Sequence, residues 1–139
     1  YGGIKAYVEL GSGYDYPYAG LGFYLVSSEE KGMDVSWWGG ICIVYQSTIN
    51  FDIELIPENE AYVTEYNNYR AHVSKSSVLK VMDFPWSKFK QESGWGIEVS
   101  QKDILASVAR ISLKFDGPAG TAGDIFIQSI GRSGSCVQH

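Results

Sequence analysis

The chain has little cysteine and little histidine, two of each in 139 residues. Cys42 and Cys136 form no Cys-x-x-Cys pair and no Cys/His cluster, which excludes the usual zinc-ligating spacings. With only His72 and the terminal His139 available, a nucleophile–base–orienter triad has little to draw on, and His72 reads as a surface residue of an alternating strand. Neither Gly11-Ser12-Gly13 nor Gly134-Ser135-Cys136 has the spacing of a nucleophile elbow, and residues 117–123 lack the lysine of a phosphate loop. There is no basic run either. The 11 Lys+Arg are outnumbered by 16 Asp+Glu and scattered, for a net charge of −5, so nucleic acid and anionic membrane are poor partners. The longest apolar runs, such as residues 40–45, fall far short of the ~20 residues of a membrane helix. No basic segment followed by an apolar one opens the chain, so a signal peptide is expected to be absent or already removed.

What the chain has in quantity is aromatic surface. Phe, Trp and Tyr make up 14% of it, and 10 are tyrosine, whose apolar face and hydroxyl suit a group that stacks and hydrogen-bonds at once. Strand signals are dense and short: residues 4–10, 20–26, 41–46, 51–55, 69–73, 78–82, 109–115 and 124–130 are β-branched or aromatic-rich and bounded by Gly, Ser, Asn or Pro. Several alternate, with Phe51, Ile53 and Leu55, and likewise Ile111, Leu113 and Phe115, expected to face a core while Asp52, Glu54, Ser112 and Lys114 face out. One short helix is expected over residues 100–108, with Ser100 as N-cap and Asp103 completing a capping box. The pattern is all-β. It predicts one domain over residues 1–139, a β-sandwich of the jelly-roll kind, with two antiparallel sheets and that one helix.

The cysteines leave two readings. In a secreted sandwich Cys42 and Cys136 would close a long loop with a disulfide; otherwise they are two separate buried thiols. Of the aromatics, Phe23, Phe89, Phe115, Phe126 and Trp86 are expected in the core. Others sit where little would cover them. Tyr14, Tyr16 and Tyr18 alternate around Pro17, Trp37 and Trp38 precede Gly39-Gly40, and Trp95 stands between Gly94 and Gly96.

The order of these segments carries a resemblance. Residues 14–23 and 34–45, the run Phe84-Pro85-Trp86-Ser87-Lys88-Phe89-Lys90-Gln91 with Gly94-Trp95-Gly96, and the strands over 109–115 and 123–131 resemble the jelly-roll carbohydrate-binding modules of families 11 and 30 on secreted polysaccharide-degrading proteins of fibre-digesting bacteria. The likeness runs over nearly the whole chain. It implies a galactose-binding-like jelly roll whose concave sheet binds a β-glucan or cellulose-type chain of the plant cell wall, and no enzyme activity. It places Trp86 and Phe89 in packing and Gln91 and Trp95 nearer the cleft. The expected ligand-binding set is then Tyr16, Tyr18, Trp37, Trp38, Gln91 and Trp95. The resemblance also implies a monomeric, extracellular module attached to a catalytic domain, with no cofactor required; a structural calcium would fall near Glu9 and Asp124. Two alternatives stand beside it, an adhesion or assembly domain of the same fold and a small glycoside hydrolase using two of the acids.

Overall fold

The computed structural model describes residues 4–10, 18–24, 32–118 and 120–136. Among these residues there are eight strands: β1 (Ile4–Glu9), β2 (Tyr18–Tyr24), β3 (Gly40–Ser47), β4 (Phe51–Pro57), β5 (Tyr69–Val73), β6 (Ser76–Pro85), β7 (Val108–Asp116) and β8 (Ala122–Arg132). Each coincides with an expected segment to within a few residues. They form two four-stranded antiparallel sheets, a first in the order β1-β8-β3-β6 and a second in the order β2-β7-β4-β5. Successive strands alternate between the sheets except at β4–β5, the one connection that stays within a sheet. Two interleaved Greek keys of this kind are a jelly roll, as the sequence predicts.

The alternation of residues fixes which face is which. Phe51, Ile53 and Leu55 of β4 and Ile111, Leu113 and Phe115 of β7 are buried and meet Ile41, Ile43, Tyr45, Ile125 and Ile127 of the first sheet across one apolar core. Two expectations need correction. Phe126 is not in that core: β8 alternation turns it outward, where the Lys5 ammonium lies 5.7 Å from its ring centroid. And the helix over residues 101–105 has company. Helix α2 (Gln101–Leu105) is capped as expected, with the Asp103 amide donating to Ser100 Oγ at 3.3 Å, but a four-residue helix α1 (Glu60–Val63) and two 3-10 turns, Ser36–Trp38 and Trp86–Lys88, also occur. Four residues are too few to show a helical period in the sequence.

Trp86 and Phe89 are buried as expected, their rings 5.3 Å apart at 63°. Cys42 and Cys136 are joined in a disulfide, with Cα atoms 5.9 Å apart, tying the segment after β8 to the middle of the first sheet. Among the described residues no helix is long and apolar enough to cross a membrane.

Candidate binding cleft

The outward face of the second sheet carries the opposite phase of each strand. Register places Gly20 beside Lys114, Gly22 beside Ser112, Ser112 beside Glu54, and Glu54 beside Arg70, so small and charged residues cross the sheet in rows. Gly20 and Gly22 contribute no side chain, and a Cβ added at Gly22 would stand 3.3 Å from the Arg110 side chain. The sheet is therefore low at β2. A cleft of about 520 Å³ lies over it, bounded by Gly20, Gly22, Glu54, Glu60, Tyr66 and Trp95 among others.

Charge in this cleft is matched internally. Glu54 was expected to point out from β4, and it does, yet it is only 4% exposed because three neighbours close over it. Its carboxylate lies 3.6 Å from Arg70 Nη1 and 3.5 Å from Lys114 Nζ, and it accepts from Asn68 Nδ2 at 3.3 Å. Glu60 accepts from the same Asn68 amide at 2.8 Å and from Arg110 Nη2 at 3.4 Å. A carboxylate buried at this depth stays only if it is compensated: Asn68 bonds Glu54 Oε1, while Oε2 accepts no hydrogen bond and is compensated by the charges of Arg70 and Lys114 beside it.

Trp95 stands on the rim, 45% exposed. Its indole Nε1 donates to Glu92 Oε2 at 2.7 Å, while Glu92 Oε1 accepts from Arg70 Nη1 at 3.3 Å. The indole is thus oriented by a chain of contacts reaching from the rim through Arg70 and Glu54 to Lys114. Its backbone is held as firmly. Asn67, 1% exposed, donates from Nδ2 to the carbonyls of Glu92 and Trp95, both at 2.8 Å, and accepts from the Glu92 amide at 3.1 Å. Gln91 donates to the carbonyls of Asn67 and Ile97, both at 2.8 Å, and its Oε1 accepts from the Val99 amide at 3.1 Å. With all of these bonds directed at the backbone, Gln91 braces the Trp95 loop. Beside it, Tyr69 donates its hydroxyl to the Val99 carbonyl at 2.6 Å, and burial, with Glu98 nearby, raises its pKa above the ordinary 10.0, so it remains a protonated donor.

The two other expected tryptophans fall elsewhere. Trp37 and Trp38 are not brought to this cleft: they form the 3-10 turn ahead of β3, with rings 6.3 Å apart, Trp38 packed toward the core and Trp37 62% exposed. The guanidinium of Arg132, in β8 of the first sheet, stacks 5.5 Å from the Trp37 centroid. Tyr16 lies outside the described residues, and Tyr18 opens β2 with its backbone paired to Asp116. His72 is exposed and 3.0 Å from Asp52. Tyr66, which the sequence reading passed over, lines the cleft with Trp95. Its only sequence signal is the neighbouring pair Asn67-Asn68, residues that favour turns. Among the described residues no group of three or more His, Cys, Asp or Glu converges as a metal site. Glu9 and Asp124 stand diagonally across the β1–β8 ladder, and among the described residues no third His, Cys, Asp or Glu joins them.

Neither the known family models nor the curated proteins give a match to this chain. Solved structures do. A family 11 carbohydrate-binding module from Clostridium thermocellum, determined in complex with a β-1,3-1,4-mixed-linked tetrasaccharide, superposes with a TM-score of 0.60 at 15% identity over 92% of this chain and 73% of that one. The family 11 module of a cellulosomal cellulase of the same organism gives 0.59 at 15% identity, over 99% of this chain and 77% of that one. At this identity the likeness shows the fold, a jelly roll.

Proposed function

We propose that the chain is a non-catalytic module that binds a neutral plant cell-wall polysaccharide, a β-glucan or cellulose-type chain, in the cleft of the second sheet. The observation that carries this is Trp95: an indole pinned edge-on by Glu92, exposed at the rim of a cleft whose floor is lowered by Gly20 and Gly22. Sugars present an apolar C–H face and a rim of hydroxyls, so an oriented aromatic beside fixed carboxylates, amides and guanidiniums supplies both halves of the contact. The jelly roll shared with a module solved around a mixed-linked tetrasaccharide supports a β-glucan as that ligand. Localisation outside the cell, in a setting that maintains the disulfide, follows the same reading, as do a monomeric state and attachment to a catalytic domain whose local substrate concentration the module raises.

The internal pairing argues for a neutral polymer. Arg70, Arg110 and Lys114 already face Glu54, Glu60 and Glu92 at 3.3–3.6 Å, so an anionic chain would have to displace a carboxylate to gain a cation. Binding rather than hydrolysis is supported by the engagement of the cleft carboxylates: Glu54 is covered by Asn68, Arg70 and Lys114, Glu60 is held by Asn68 and Arg110, and Glu92 by Arg70 and the Trp95 indole. Affinity electrophoresis in gels of β-1,3-1,4-glucan, xylan, mannan and polygalacturonate tests the reading. Retardation by the β-glucan and none by polygalacturonate is expected. Retardation only by the acidic polymer, or release of reducing sugar by the repurified protein, would contradict it.

A further inference from the structure

The connection between β4 and β5 is built at unusual expense. It is the one link that stays within a sheet, and it holds three almost fully buried polar residues, Thr64, Asn67 and Asn68, at 0–1% exposure. It also holds three non-glycine residues in the left-handed region: Asn59 at φ 53°, Glu65 at φ 50° and Tyr66 at φ 66°. Asparagine tolerates that region, whereas a bulky tyrosine there is an outlier that persists only when its surroundings enforce it. The enforcement is visible. The Tyr66 amide donates to the Glu60 carbonyl at 3.4 Å, the Asn67 amide to the Thr64 carbonyl at 3.1 Å, and Thr64 Oγ1 to Asn68 Oδ1 at 2.6 Å. What the strain achieves is display. Tyr66 is 59% exposed, so its ring gains little from burial, and it stands over the same cleft as Trp95.

The cleft does not stop at Tyr66. A second cavity of about 240 Å³ lies beyond it, beside Asn59, Ala61 and Tyr62, and shares the wall Ile56, Glu60, Tyr66 and Arg110 with the first. Tyr62, 84% exposed, borders this second cavity. Asn67 binds the two aromatic loops together, following Tyr66 directly in the chain while its amide holds the Trp95 carbonyl.

We propose that Tyr66 is a second sugar platform, held in a strained backbone so that a chain resting on Trp95 continues across it into the cavity beside Tyr62. This rests on the cleft being the polysaccharide site and adds a further subsite for neutral sugar, with Tyr66 as its platform and Tyr62 at its end. A chain long enough to reach Tyr62 then binds more tightly than one that spans only Trp95 and Tyr66.

The test is a calorimetric titration of wild type and variants with soluble β-1,3-1,4-glucan and its oligosaccharides of increasing length, beside thermal melts. Tyr66→Gly removes the ring and relieves the left-handed strain, so the melting temperature should hold or rise by roughly 2–5 °C while affinity for the polymer falls at least tenfold. Tyr66→Phe should bind within about threefold of wild type, since the stacking face is kept. Tyr62→Ala should leave the shortest binding oligosaccharides unaffected and remove the gain shown by longer ones. Polymer affinity unchanged in Tyr66→Gly would overturn the inference, and if Trp95→Ala still lost binding, would do so without touching the cleft assignment. A melting temperature lowered by many degrees in Tyr66→Gly would equally overturn it, marking Tyr66 as a structural residue. A wild type that binds no β-glucan would sink the function and this inference together.

Discussion

Trp95 and its two glycine neighbours show how a residue is kept at a surface it would otherwise leave. Gly94 has φ 92° with open space around it, while Gly96 has φ 70° and a Cβ there would stand 2.5 Å from Asn67 Cβ and 2.8 Å from the Thr64 carbonyl oxygen. Gly96 is required twice, by its dihedral and by the close approach of the Asn67 turn. Gly96→Ala is therefore expected to destabilise the protein by about 2 kcal/mol or more, as strain and overpacking add, and to loosen Trp95 with it. Urea unfolding measures the first effect; an unchanged midpoint would mean that the loop is not seated on Asn67. The sequence shows Gly94-Trp95-Gly96 as a place where little covers an indole, and that much is legible from three letters. The role of Gln91 is not. A glutamine near an aromatic loop reads equally as ligand contact or brace, and only its bonds to Asn67, Ile97 and Val99 decide. Tyr66 was illegible for a related reason, because its left-handed backbone is imposed by contacts from residues 59–68 and leaves no pattern of its own.

At the level of elements, strands were legible because one-sided burial writes itself as alternation. The strands that broke the pattern did so through partners distant in sequence. Cys42 and Val44 of β3 face away from the core yet are buried, as is Glu54 of β4 beneath Arg70 and Lys114 from the adjoining strands. Trp37 and Trp38 looked available for the cleft because sequence gives no distance between a turn preceding β3 and the face of the other sheet. The disulfide spans 94 positions and ties the chain after β8 to β3. Closing a loop of that length is worth roughly 4–5 kcal/mol by restricting the unfolded chain. Reduction should lower the unfolding free energy by about that amount while the protein that remains folded still binds β-glucan, because Cys42 lies in the first sheet and the cleft on the second. A reduced protein with the oxidised midpoint, or one that stays folded but loses binding, would show that the bridge acts otherwise.

For the molecule as a whole, the jelly roll assigns its two sheets different tasks. The first is closed by the disulfide; the second offers an outer face lowered by glycines, lined by paired charges and rimmed by Trp95 and Tyr66. The charges are spent on one another, which leaves aromatic faces as the principal attraction for a ligand. Replacing Trp95 by alanine isolates that attraction. Removal of an anchor aromatic from a binding site typically costs ~2 kcal/mol or more of affinity, whereas emptying a core tryptophan site costs ~3–5 kcal/mol of folding stability. The deciding measurement is a paired calorimetric titration with β-1,3-1,4-glucan and thermal melt of wild type and Trp95→Ala. Binding weakened more than tenfold, with a melting temperature within a few degrees of wild type, is the predicted result. A mutant that melts like wild type and binds the glucan equally well would contradict the placement of the site, and one that melts many degrees lower would return Trp95 to the core.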